Sequence, residues 1–102
     1  MISETLDRAA DLLEPKGRWT QHANYRSEGG HILISGVNAA SYCLVGAIDA
    51  VESGPVGKEA ISFVSARVGV AAVAWNDAPT RTQKQVVEKL RTCAKIARQR
   101  GK

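Results

Sequence analysis

With 102 residues, of which 44% are apolar, 24% charged and only 5% aromatic, the chain has material for one small domain with a modest core, which excludes a multidomain machine. Its formal charge of +4 is unevenly spread: residues 1–51 hold four basic and six acidic groups, and residues 52–102 hold ten and four. Eight of the 14 basic residues fall in residues 81–102 with Glu88 as their sole acidic neighbour, so whatever the positive charge does, it does there.

No apolar run approaches the length of a membrane span, and Glu4, Asp7, Arg8 and Asp11 stand where a secretory peptide needs an apolar stretch, so a cytoplasmic protein is expected. Cys43 and Cys93 lie far apart in a chain long enough to build a core without staples, and both are expected as reduced thiols.

In chain order, Ile2, Leu6, Ala9, Ala10 and Leu13 recur at helical spacing after Ser3, a candidate cap, and predict a helix over residues 4–14 that Pro15 and Gly17 end. Glu4, Asp7, Asp11 and Glu14 stack into an acidic stripe beside that apolar face. Residues 18–25 and 31–35 then read as short strands around the turn-like Ser27–Gly30, a small hairpin leaning on the helices through Trp19 and Ile32 or Ile34. Asn38 is expected to cap a second helix, with Val37 and Tyr42 as a hydrophobic staple. Its apolar stripe is Ala40, Cys43, Leu44, Ala47, Ile48 and Val51, and Gly54 and Pro55 stop it.

Lys58 to Trp75 reads either as a helix or, over Val68–Trp75, as a buried strand; length and four alanines favour a central, most buried helix, with Asn76, Asp77 and Pro79 as its stop. Thr82 and Gln85 form a capping box for a last helix whose apolar face is Val86, Val87, Leu90, Cys93, Ala94 and Ala97. Lys84, Glu88, Arg91, Lys95 and Arg98 share its other face, where the helix dipole also favours cations near the carboxyl end. The fold expected is mainly α, a single domain over residues 1–102: a compact bundle of about four helices with a small β-hairpin between the first two.

Gly17, Trp19-Thr20-Gln21, Gly30, Cys43-Leu44, Gly46-Ala47, Trp75-Asn76-Asp77, Thr82, Val86 and Ala94 follow one another in an order that resembles a small family of uncharacterised domains of actinobacteria and their phages. The likeness spans nearly the whole chain; Val45 takes the variable position of the Cys-Leu-x-Gly-Ala run, and His22 stands where the pattern has a small residue such as glycine. The resemblance implies a phage or actinobacterial setting and no known activity.

Three constellations bear on chemistry. Cys43 with His22 or His31 and Asp77 has the residue types of a thiol nucleophile, a base and an orienting acid, but Cys43 falls on an apolar helix face, where an inert core thiol is expected. Cys43, Cys93, His22 and His31 lack the close ligand pairs of a structural zinc site, and Gly54–Lys58 is a linker that misspells a phosphate loop, with Glu52 and Glu59 at positions needing glycine and a hydroxyl. Trp75 is expected to plug the core while Asn76 and Asp77 make a turn, and Trp19 to anchor the hairpin.

No catalytic residue, metal or cofactor is therefore expected. Lys84, Arg91, Lys95 and Arg98 form the candidate interaction surface, and Trp19, Cys43, Trp75, Asn76 and Asp77 are structural. The first expectation is a non-enzymatic accessory protein that binds a macromolecule, foremost a protein, with no membrane partner and with a homo-oligomer allowed. The second is an unspecific nucleic-acid binder using the last helix, against which stands the lack of aromatic residues in 76–102. The third is an enzyme using Cys43 or Asp77. A further reading lets the basic stripe pair with the acidic stripe Glu4, Asp7, Asp11 and Glu14 of the same molecule or of a partner.

Overall fold

In chain order, the computed structural model, which describes residues 1–102, contains α1 (Ile2–Leu13), β1 (Tyr25–Arg26), β2 (Ile32–Leu33), β3 (Ser41–Tyr42), α2 (Leu44–Val51), α3 (Pro55–Val68), α4 (Ala72–Asn76) and α5 (Gln83–Gln99). The chain is thus mainly helical, with five helices rather than four, and the expected hairpin is two strands of a three-stranded antiparallel sheet in the order β2-β1-β3. No helix is long and apolar enough to cross a membrane.

α1 and α5 form the spine. Leu6, Ala9, Ala10 and Leu13 of α1 and Val86, Leu90, Cys93, Ala94 and Ala97 of α5 are all fully buried, and the alanines let the two backbones approach closely. The helix starts at Ile2, not after Ser3; Ser3 is buried within it and Thr5 Oγ1 donates to the Met1 carbonyl at 3.1 Å instead. The capping box at Thr82 and Gln85 opens α5 as its sequence demands, with each side chain satisfying the other's backbone N–H.

The second helix departs from expectation. Asn38 does not cap it but turns the chain in the left-handed region at φ +63°, and Val37 is exposed, so no staple forms. The backbone of residues 40–43 is committed to the sheet side: Ala40 N donates to Arg26 O at 2.8 Å, Tyr42 N to Arg18 O at 2.8 Å and Cys43 N to Asn24 O at 3.1 Å. Helix geometry begins at Leu44 with Cys43 as the cap, its Sγ accepting from Gly46 N at 3.3 Å. Tertiary pairing overrules the local apolar period here and moves the cap five residues on, from Asn38 to Cys43.

The stretch 58–75 also divides. Gly69 adopts φ +81°, a conformation in which glycine carries no Cβ penalty, and its N–H closes α3 on Ser65 O at 2.9 Å. The Ser65 hydroxyl then accepts from Ala72 N at 2.9 Å, capturing the first turn of α4. The helix expected to be the most buried is α3, yet its exposed face includes Arg67, and the deepest positions lie on α1 and α5. Gly54 and Pro55 are not a linker: they are the cap and first residue of α3, and Gly57 lets it pass so close to α2 that an added Cβ would lie 1.8 Å from Glu52 O.

The hairpin seats itself through Tyr25 and Leu33 rather than through Ile32 and Ile34, which are exposed. Tyr25 meets Tyr42 edge to face, with centroids 6.1 Å apart, and its hydroxyl donates to Asp49. Trp19 bridges to Tyr42 in parallel and packs against the core, as its anchoring role requires.

Gly46 is the close-approach point of α2, because a Cβ there would lie 2.1 Å from Asn24 O. Gly46→Ala should therefore destabilise the protein by about 2–3 kcal/mol, read as a lower urea midpoint, through forced separation of α2 from the loop before β1.

Candidate functional site

Two polar regions stand out, one buried and one exposed. The buried region centres on Asn76, the last residue of α4, whose side chain has no exposure. Its Oδ1 accepts from Trp19 Nε1 at 2.6 Å and from Leu44 N at 3.0 Å. Its Nδ2 donates to Thr20 O at 3.2 Å and to Asp77 Oδ1 at 2.9 Å. Gln21 Nε2 donates to the carbonyls of Asn76 and Ala78 at 3.0 and 2.9 Å, and His22 N donates to Asp77 Oδ1 at 2.9 Å. The Trp-Thr-Gln and Trp-Asn-Asp segments, 55 or more positions apart, are thus the two halves of one hydrogen-bonded clasp.

The clasp corrects the expected division of labour. Asn76, not Trp75, is the buried plug, and it joins loop, α2 and α4 rather than closing a local turn; Trp75 is half-buried at the surface. His22 takes φ +65°, the left-handed region that suits glycine, so a small residue would sit at this position with less backbone strain than the histidine does.

Cys43, His22 and Asp77 do approach one another here. Asp77 lies close enough for its charge to push the Cys43 thiol up, and His22 Nδ1 is 3.8 Å from Asp77 Oδ2. Yet Cys43 is 1% exposed and its Sγ lies 3.4 Å from Asn24 Oδ1, so the thiol is sealed. Burial is the main cause of its raised pKa, outweighing the backbone N–H groups of Gly46 and Val45 that would favour a thiolate. His31 lies in the hairpin turn, away from this cluster, with its N–H donating to Ser27 Oγ at 3.2 Å. No three His, Cys, Asp or Glu side chains are grouped to hold a metal ion.

The exposed region is the basic side of the molecule, and tertiary structure divides it in two. On one flank of α5, Arg91 bonds Asp11 Oδ1 at 2.7 Å, Glu14 Oε1 at 2.8 Å and Asp7 Oδ1 at 3.4 Å, while Arg98 bonds Asp7 Oδ2 at 2.6 Å. The stripes of α1 and α5 neutralise each other, and the carboxylates hold the Arg91 guanidinium well above its already high ordinary pKa. Of the four candidate surface residues, Arg91 and Arg98 are therefore consumed internally, Lys84 faces Glu88 at 4.0 Å, and Lys95 is exposed without an ion pair.

The other flank holds cations with no carboxylate in ion-pairing distance. Arg81 and Lys89 lie over the Trp75 ring, 3.8 and 5.8 Å from its centroid. Arg67, Arg100 and Lys102 lie over the Phe63 ring at 5.3, 5.9 and 5.8 Å. Both groups act on the buried Cys93: its thiol is pushed up by burial, while the charges of Lys89 and Arg67 both pull it the other way. Charge counting along the sequence missed this face because Phe63 and Arg67 come from α3 and Trp75 from α4. The aromatic residues absent from 76–102 are supplied by neighbouring helices.

The chain belongs to a family of unknown function, DUF6197, whose family model matches residues 1–96. No curated protein and no solved structure matches it.

Asn76→Ala would strand the Leu44 N–H and the Trp19 indole N–H, and should cost about 3 kcal/mol or more in urea unfolding. Alkaline pH supplies a second test. Cys43, Cys93 and Tyr25 all have folded pKa values raised above their ordinary ones, chiefly by burial. The protonated forms are favoured in the folded state, so stability is full below about pH 8 and falls as pH rises past the ordinary thiol and phenol values, by up to about 1.4 kcal/mol per pH unit per group. Unfolding free energies should hold steady up to about pH 8 and drop between about pH 8 and pH 11; a flat profile would mean the thiols already reach water.

Proposed function

We propose that the chain is a non-enzymatic binding protein that grips nucleic acid by its phosphates, without reading sequence. The surface used is the face formed by Arg67 of α3, Arg81 of the α4–α5 connection, Lys89 of α5, and Arg100 and Lys102 beyond it. One observation carries this reading: the acidic stripe of α1 neutralises Arg91 and Arg98 and leaves those five cations, gathered over the Trp75 and Phe63 rings, with no carboxylate within ion-pairing distance. Crowding like charges around two rings costs folding free energy, and a polyanion that binds there offsets the cost. Glu59 shares a shallow pocket with Lys102 but stays beyond ion-pairing distance.

The non-enzymatic part of the reading is supported by the sealed, protonated state of Cys43. The lack of sequence reading is supported by the connection of residues 77–82 between α4 and α5, longer than the tight turn of a helix-turn-helix. A cytoplasmic setting in an actinobacterium or its phage belongs to the same proposal, supported by two unpaired cysteines and by the motifs of the clasp.

A protein partner is the second reading, favoured by Ile32, Ile34 and Val37, which are 65%, 103% and 73% exposed along the edge strand β2 and its following loop.

Binding of a labelled duplex measured across salt concentrations tests the first reading. Replacing Arg67, Lys89, Arg100 and Lys102 by alanine should abolish most affinity and flatten the salt dependence by about 0.9 per lost phosphate contact. Replacing Arg91 and Arg98 should lower stability yet leave affinity largely intact. Equal affinity in both variants would overturn the assignment of the face. Failure of both a duplex and a single strand to bind, with protein recovered from nuclease-treated lysate only while Ile34 and Val37 are intact, would establish the second reading in its place.

A further inference from the structure

Trp75, Arg81, Gln85, Glu88, Lys89 and Thr92 line an open groove of about 340 Å³ at the upper end of the cationic face. Arg81 is held there in one orientation: its Nε donates to the Trp75 carbonyl at 2.8 Å, and its guanidinium carbon sits 3.8 Å from the centroid of the Trp75 ring. Neither terminal nitrogen of Arg81 bonds to the protein. The guanidinium is thus seated on the indole, with its free donors bordering the groove.

We propose that this groove is a stacking subsite for an unpaired nucleobase, so that the nucleic acid bound by the cationic face is single-stranded; the inference rests on the nucleic-acid reading above. Three features carry it. A guanidinium fixed at one edge and against one ring has lost its rotamer freedom before any ligand arrives, and its planar, delocalised surface accepts a base as the next layer. Glu88, the one carboxylate in the groove, repels a phosphate and tolerates an uncharged base, which places the base here and the backbone on the cations outside the groove, Arg67, Arg100 and Lys102 over the Phe63 ring. Gln85 and Thr92, both exposed on the groove wall, offer donors and acceptors to a base edge without demanding one base.

A base inside a duplex cannot present its face to the Trp75–Arg81 pair. Charge attraction alone predicts the opposite preference, because a duplex carries the higher charge density. Strand preference therefore separates stacking from plain electrostatics.

The test compares binding of an oligothymidylate of about 16 nucleotides with a duplex of the same length at low salt, for the wild-type protein and Arg81→Lys. The lysine keeps the charge and loses the planar layer and the Nε anchor. The wild-type protein should bind the single strand about tenfold more tightly than the duplex, and Arg81→Lys should lose about tenfold for the strand alone. Duplex binding as tight as strand binding by the wild-type protein, or a lysine variant that keeps its strand affinity, overturns the stacking subsite and leaves the phosphate-binding reading standing. Binding of neither probe removes both. If the lysine variant fails to fold, the wild-type comparison decides by itself.

Discussion

A single carboxamide holds this molecule in register. Asn76 has no exposure and spends all its hydrogen-bonding capacity on the Trp19 indole, the first N–H of α2, the Thr20 carbonyl and the Asp77 carboxylate. A buried amide is costly to leave half-satisfied, so a network of this kind has one acceptable geometry. That geometry determines where the loop before the sheet meets α4 and where α2 begins. No buried side-chain nitrogen or oxygen anywhere in the molecule lacks a partner.

The clasp has a consequence for the surface. By turning the chain sharply after Asn76 it sends residues 77–82 across the end of α4, so that Arg81 comes back over the Trp75 ring and α5 sets out from the end of α1, where Gln83 Nε2 donates to the Leu13 and Pro15 carbonyls. α5 then carries two different flanks. The one against α1 is closed by Arg91 and Arg98 in their carboxylate cage; the one toward α3 and α4 gathers Lys89 with Arg67 and Arg81. The same helix is electrically spent on one side and charged on the other, which a net charge of +4 does not reveal.

Cys43 shows how proximity and reactivity part company. A thiol at a helix amino terminus, with a histidine and an aspartate nearby, has the ingredients of a nucleophile. Here the dominant force is removal of water, which disfavours the thiolate more than the helix N–H groups favour it. The sulfur serves as a cap for α2, an uncommon use of a group that hydrogen-bonds weakly.

The periodic apolar faces of α1 and α5, the capping box at Thr82 and Gln85 and the turn at Ser27–Gly30 could all be read from residue order, because each depends on neighbours within four positions. The possibility that acidic and basic stripes meet was legible too. What only the tertiary structure decided were matters of long-range competition. Sheet pairing took residues 40–43 from the second helix, Ser65 and Gly69 cut α3 from α4, and Asn76 displaced Trp75 from the interior. The cationic face belongs to this second group. Its cations are brought together from α3, the α4–α5 connection, α5 and the residues after it, and charge interacts through space rather than along the chain.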